Sequence, residues 1–221
     1  MAKLTWDGVG KKEFQYGVSQ GVLFKLDAQT HKWMGVAWNG LTNVTDSPEG
    51  GDVEEKYADN ILYASVRGVE KFGGSIECFT FPDEWLGCIG KKEVMTGVTV
   101  AQQNRDTFCF AYRTELGNDQ NQNAGYVINI VYNSTANASE MSHDTTEESV
   151  DFEPMSFDFN SNTVAVTGHK STSKLEIKST TTNPKALKAL EDLIYGTENK
   201  DSELLMPDDL FALMQAAINA Q

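Results

Sequence analysis

Short segments in which apolar and polar residues alternate recur along the first 180 residues, and they constrain the fold more than any other feature. β-Branched and aromatic residues dominate them, and a period of two residues is typical of strands with one buried face. Their short spacing favours packed antiparallel sheets over βαβ units, so we expect a mainly β protein. The predicted strands are residues 14–26, 35–44, 74–81, 107–116, 125–133, 149–160, 163–168 and 174–179.

The last forty residues are the only part that predicts helices clearly. Asn183 is a suitable N-cap with Pro184 at the first helical position, and Pro207 opens a second amphipathic segment. We therefore expect a β domain over residues 1–180 and a C-terminal helical segment over 181–221. The apolar stripe of that segment needs a cover, which is either the chain's own sheet or, in an assembling protein, a neighbouring subunit.

The chain contains 32 acidic and 18 basic residues, and their distribution is uneven. Residues 114–169 contain no Lys or Arg. A second acidic cluster, residues 46–59, is relieved only by Lys56. Binding to nucleic acid relies on Lys and Arg that displace counterions, so this balance disfavours it. A solvated acidic face that keeps the monomer soluble would explain the same composition.

Three cysteines, Cys78, Cys88 and Cys109, form no CxxC pair, which favours reduced, buried thiols over a disulfide framework or a zinc site. No apolar run approaches the roughly 20 residues of a membrane span, and the first residues lack the apolar centre of a secretion signal. We expect a protein that is made in a cytoplasm and does not insert into membranes.

None of the three histidines is in a spacing with another His or Cys that is typical of metal ligands. His143 beside Asp144 lies in the acidic segment, where a hydrated surface pair is the simpler interpretation. No G-x-S-x-G elbow is present, and paired carboxylates such as Glu54 and Glu55 lack a supporting motif. The sequence therefore predicts no enzyme, no metal and no cofactor.

Residues 38–90 join two predicted strands through a long polar stretch rich in Gly and Pro. Loops of this length usually reach a partner or a site. Its landmarks are Trp38, Asn39 and Gly40; Ser47, Pro48, Glu49 and Gly50; Tyr57, Ala58, Asp59 and Asn60; Pro82, Asp83 and Glu84; and Cys88. Further landmarks occupy residues 110–119, 125–133 and 190–196.

In this order the landmarks resemble the major tail proteins, or tail tube proteins, of bacterial viruses with long non-contractile tails. The resemblance covers most of the chain. One departure is that relatives usually carry basic residues after the strand that ends here at Tyr132, and this chain has none there. Charge-based roles of that region are therefore not transferred.

The resemblance implies an antiparallel β-sandwich with flanking C-terminal helices, in hexameric rings whose inner strands form a β-barrel. Stacked rings would make the tail tube, a conduit for genome DNA that passes without specific binding. The implied partners are further copies, a tape measure protein inside the tube, and tail terminator and distal tail proteins at its ends. The implied location is the virion tail, assembled in the cytoplasm of the host bacterium.

On this interpretation residues 46–57 form a loop that contacts a neighbouring subunit or ring, with Trp38 and Pro48 fixing its base. Glu77 and Glu115, on strands favoured for the inner face, are the candidate lumen carboxylates. The predicted contact residues are Asp46, Ser47, Pro48, Glu49, Gly50, Gly51, Asp52, Glu54, Glu55 and Tyr57.

The alternative is a β-sandwich that binds carbohydrate or protein on a cell or virion surface. Trp33, Trp38 and Trp85 would then form an exposed aromatic platform. Tube formation distinguishes the two hypotheses, because a binding module would remain a monomer or a small oligomer.

Overall fold

A computed structural model describes residues 4, 6, 8–141, 145 and 153–220. Strands dominate this part of the chain, and the expected mainly β, antiparallel architecture is confirmed. The helices are α1 (Trp85–Cys88), α2 (Pro184–Ile194) and α3 (Pro207–Asn219). The strands are β1 (Phe14–Leu26), β2 (Trp33–Trp38), β3 (Leu41–Asp46), β4 (Glu49–Gly50), β5 (Val53–Ala58), β6 (Ile61–Arg67), β7 (Glu70–Cys78), β8 (Lys92–Met95), β9 (Val98–Val100), β10 (Phe108–Gly117), β11 (Gly125–Ala136), β12 (Met155–Ser161), β13 (Lys174–Lys178) and β14 (Glu203–Leu204).

Ten strands form one antiparallel sheet in the order β14-β2-β1-β10-β11-β12-β7-β3, with β13 beside β11 and β4 beside β7. The sheet divides at β11, which pairs with β13 along residues 127–131 and with β12 along residues 134–136. This division creates a main layer, from β14 to β13, and a small layer of β12, β7, β3 and β4. The two layers face each other as a sandwich.

Large aromatic side chains fill the space between the layers. Trp38, Phe108 and Phe110 from the main layer meet Phe157 from the small layer, and Trp85 of α1 is inserted among them. A second cluster covers the opposite face of the main layer, where α2 and α3 pack on strand residues. The fold thus has three layers: the small layer, the main layer and the helices.

Both predicted helices begin where the sequence indicates. The side chain of Asn183 accepts a hydrogen bond from the Lys185 backbone N–H at 2.9 Å, which satisfies an otherwise unpaired donor of α2. Leu190 and Leu210 are fully buried against the main layer. The chain's own sheet therefore covers the stripe, although Ile218 near the end of α3 is 39% exposed.

Two predicted strands differ from the structure. Residues 35–44 are not one strand, because Gly40, with φ of 77°, turns the chain from β2 in the main layer to β3 in the small layer. Residues 163–168 form no strand; only Val164 bridges to Thr172. The predicted connection at residues 116–125 is confirmed as the β10–β11 hairpin.

The three cysteines are buried and free, as expected. Within the described ranges, no helix is long and apolar enough to cross a membrane. His143, Asp144 and residues 146–152 of the acidic segment lie outside the described residues.

Candidate assembly surfaces

The last part of the predicted polar loop, residues 53–57, is in fact the start of a β-hairpin, here called the arm, formed by β5 and β6 over residues 53–67. The turn residues Asp59 and Asn60 both have positive φ, 50° and 62°, which is typical of the tight turns that join twisted strands. The arm is a two-stranded sheet separate from the sandwich. Such a hairpin is only marginally stable in water without a third strand or a packing surface.

The arm exposes an unusual amount of apolar surface. Tyr57, Ile61 and Tyr63 are 66%, 64% and 76% exposed, and Val53, Leu62, Val66 and the following Val69 are also exposed. No residue of the arm belongs to either core cluster. Contiguous exposed apolar side chains on a soluble protein usually mark an interaction surface.

Polar contacts fix the base of the arm, and they centre on a partly buried lysine. Lys174 of β13 is 13% exposed and donates to the Asp46 carboxylate at the end of β3, and to Glu176 at 2.8 Å. The Tyr112 hydroxyl donates to Asp46 at 3.2 Å. Burial, supported by the Asp46 carboxylate and opposed by the Lys174 ammonium, raises the Tyr112 pKa to about 12. The Ser47 N–H also donates to the Gly73 carbonyl.

The residues predicted to form the contact loop therefore have different roles. Asp46 and Ser47 anchor the arm, Glu49 and Gly50 form β4 against the start of β7, and Glu54, Glu55 and Tyr57 lie on the arm itself. Pro48, Gly51 and Asp52 connect these elements, and the Asp52 carbonyl accepts a hydrogen bond from Gly68 N–H at 2.9 Å. This bond closes the base of the arm.

The expectation that Trp38 fixes the base of this loop is wrong. Trp38 lies in the core between the layers, and its Nε1 donates to the Thr80 carbonyl at 2.9 Å, beyond the opposite end of β7 from the arm. Pro48 is exposed. The platform of exposed tryptophans is also absent, because Trp38 and Trp85 are 2% and 0% exposed and Trp33 packs beside the helices.

A second hairpin, β8–β9, leaves the other end of the small layer. Its turn contains Gly97 with φ of 78°, and the Glu93 carboxylate accepts a hydrogen bond from Gly97 N–H at 2.9 Å. Val94 and Met95 are 55% and 65% exposed, and Val98 and Val100 are also exposed. Lys91 and Lys92 lie at its start, so this apolar surface has a basic border.

The outward face of the small layer is polar and lacks basic side chains along its central residues. Because Ile76, Phe157 and Phe159 point into the core, their strand neighbours point outward. Glu77 is among these and is opposite Asn43 and Ser156 in the two flanking strands. The outward group is Asn43, Thr45, Ser75, Glu77, Ser156, Asp158 and Asn160.

Glu115 does not share this face. It lies an even number of residues from Cys109 and Ala111, which contact the helices, so its side chain lies with theirs on the helix side of the main layer. It pairs with Arg113 at 3.0 Å, and Arg113 lies over the Tyr126 ring at 3.9 Å. The two candidate lumen carboxylates therefore lie on different surfaces, Glu77 on the outward face of the small layer and Glu115 on the helix side of the main layer.

The two edges of the large sheet lie on one side of the sandwich. One edge is β3, and the other is β2, which β14 pairs at Trp33 and Met34 and which the Ser202 carbonyl caps at Gly35 N–H. The short turn after Trp38 joins these edge strands. Open edges expose unpaired backbone donors and acceptors that favour pairing with another chain.

Sequence reasoning missed both strands of the arm, β5 and β6, and the β8–β9 hairpin. A signal was present in both cases: Asp59-Asn60 and Thr96-Gly97 are turn pairs flanked by β-branched or aromatic residues. The acidic character of residues 46–59 concealed the first signal.

Among the described residues, no group of three or more His, Cys, Asp and Glu side chains is arranged to hold a metal ion. No protein-family model and no curated protein sequence matches the chain.

Proposed function

We propose that this chain is the subunit of a tail tube, in which hexameric rings stack into a conduit for the genome of a bacterial virus with a long non-contractile tail. The arm carries this proposal. It exposes six large apolar side chains, contributes none of them to the core clusters and is held at its base by the partly buried ion pair of Lys174 with Asp46. An anchored apolar hairpin is suited to bind another folded subunit.

The open edges support closure into rings. A monomer with exposed edges of β2 and β3 risks uncontrolled pairing, whereas a closed ring pairs every edge with a neighbour. In this proposal the small layer lines the bore as part of a barrel shared by the ring.

The outward face of the small layer suits such a bore. Its hydroxyl, amide and carboxylate groups, Glu77 and Asp158 among them, provide no cation that would hold passing phosphates. Glu115, on the helix side, is left out of the proposed lumen. DNA would pass without specific binding, and the tape measure protein would occupy the bore before it.

The helix layer faces away from the bore, so α3 would lie on the outside of the tube. Tail terminator and distal tail proteins would bind the exposed surfaces of the end rings. On this basis the protein acts in the virion tail and has no catalytic role.

The test removes the arm without disturbing the sandwich. Because Asp52 and Gly68 are already hydrogen-bonded, residues 53–67 can be replaced by two glycines. The free energy of unfolding of the variant should differ from that of the parent by less than about 0.5 kcal/mol, since no core residue is lost. Negative-stain microscopy of concentrated protein should reveal tubes for the parent and none for the variant.

A matched control keeps the hairpin and changes its surface, with Ile61, Tyr63 and Val66 replaced by Ser. It should also fail to form tubes while remaining folded. A parent protein that stays monomeric at every concentration, or an armless variant that assembles as well as the parent, would refute the proposal.

A further inference from the structure

The two hairpins that expose apolar residues leave the small layer from opposite ends of β7. The arm is joined to β7 at Glu70, and the β8–β9 hairpin follows from the Cys78 end through α1. Near this second base, Arg105 donates to the carbonyl of Ala136, the last residue of β11, at 2.8 Å. Nine residues of strand separate the two bases by about 26 Å.

Their charges are complementary. Residues 49–70 contain Glu49, Asp52, Glu54, Glu55, Asp59 and Glu70 against only Lys56 and Arg67. Residues 91–105 reverse this balance, with Lys91, Lys92 and Arg105 against Glu93, whose carboxylate is engaged in its own turn. The cleft beside Lys91 and Lys92 also contains Asp83, Glu84 and the ion pair of Lys25 with Asp106, so the positive excess belongs to the hairpin segment and not to its surroundings.

We infer that the arm of one copy docks on the β8–β9 hairpin of a second copy, in a head-to-tail contact. This inference rests on the proposed tube and names the surface that receives the arm. Exposed apolar side chains of the arm, such as Ile61 and Tyr63, cover Met95 and Val98 of the second copy. The acidic border of the arm meets Lys91 and Lys92.

The geometry disfavours the other pairings. A hairpin that leaves the far end of β7 is poorly placed to receive the arm of its own chain. An arm-to-arm contact would bring like-charged borders together and would close a dimer rather than extend a stack. A head-to-tail contact between different surfaces repeats along an axis without closing.

Crosslinking tests the contact directly, because the native cysteines are buried and new ones can be placed on the surface. Tyr63→Cys marks the arm and Val98→Cys marks the β8–β9 hairpin; both parent side chains are exposed. With a short bis-maleimide, a chain that carries both cysteines should give a ladder of dimers, trimers and longer products. A mixture of the two single variants should stop at dimers.

The crosslinking result distinguishes this contact from the alternatives. Tubes that form without crosslinks would overturn this contact and leave the tube proposal standing. Crosslinks with the Tyr63→Cys variant alone would mean arm-to-arm pairing and would also overturn it. If the parent forms no tubes and the chain with both new cysteines forms no crosslinks, both proposals are overturned.

Charge exchange provides a second measurement. The double variant K91E/K92E should raise the protein concentration needed for assembly about tenfold, because two ion pairs of the proposed contact become like-charged pairs. Adding E54K/E55K to the same chain should restore assembly. The control K200E changes an exposed lysine in the α2–β14 connection and should have no effect. The contact would be contradicted if K91E/K92E assembled at the same protein concentration as K200E and the chain with all four substitutions failed to assemble.

Discussion

Replacing Trp38 with Ala tests the core between the layers and separates burial from an exposed role of this residue. Trp38 is 2% exposed, its ring centroid is 4.6 Å from Trp85 and 5.5 Å from Phe110, and its Nε1 bonds to the Thr80 carbonyl. Truncation of a buried Trp to Ala costs about 3–5 kcal/mol. At about 2–4 °C per kcal/mol for a chain of this size, the melting midpoint should fall by roughly 6–20 °C.

The measurement is thermal and urea unfolding of the monomer, followed by circular dichroism. Trp38→Phe serves as the matched control: it keeps an aromatic ring but loses the N–H donor, and should cost less than Trp38→Ala. The Thr80 residue that accepts this bond is exposed, so its carbonyl can bond to water instead. An unchanged midpoint for Trp38→Ala would refute the burial argument and place Trp38 on an interface or a binding surface.

Lys174→Met should destabilise the monomer by about 1–2 kcal/mol, because Asp46 loses its charged partner but keeps the Tyr112 hydroxyl, and it should speed hydrogen exchange at Ser47. The control Lys188→Met breaks an exposed ion pair with Asp192 and should cost less than about 0.5 kcal/mol. Equal costs for the two variants would refute the role of Lys174 as an anchor of the arm. Glu77→Lys should leave tubes intact but slow genome ejection from reconstituted particles at low salt, with recovery at high salt, because a ring of lysines attracts phosphate. Particles with the control substitution Glu198→Lys should eject normally. If Glu77→Lys leaves the ejection rate unchanged, another face of the molecule lines the bore.

Several elements could be predicted from sequence because their signals are local. Strand β1 has the predicted bounds, and α2 and α3 begin at the predicted Pro184 and Pro207. Caps, prolines and a period of two act through neighbouring residues, so tertiary structure did not override them. The buried, free state of the cysteines also followed from their spacing and number.

The arm and its anchor could not be obtained in the same way. Asp46 and Lys174 are 128 positions apart, and only the division of the sheet at β11 brings them together. Glu77 and Glu115 both alternate with buried residues, so the sequence marks each as facing away from the core between the layers. It does not reveal that the helices cover one of these faces.

The residues that hold the fold together and those that offer contact surfaces are nearly separate sets. Trp38 and Phe110 belong to the core, whereas Ile61, Tyr63 and Val98 belong to no core cluster and project from hairpins. Substitutions at distant sites with no shared partners usually have additive effects. Monomer stability and self-association should therefore vary independently, except at Asp46 and Lys174. These two residues connect the sandwich to the arm, so their loss should affect both properties together.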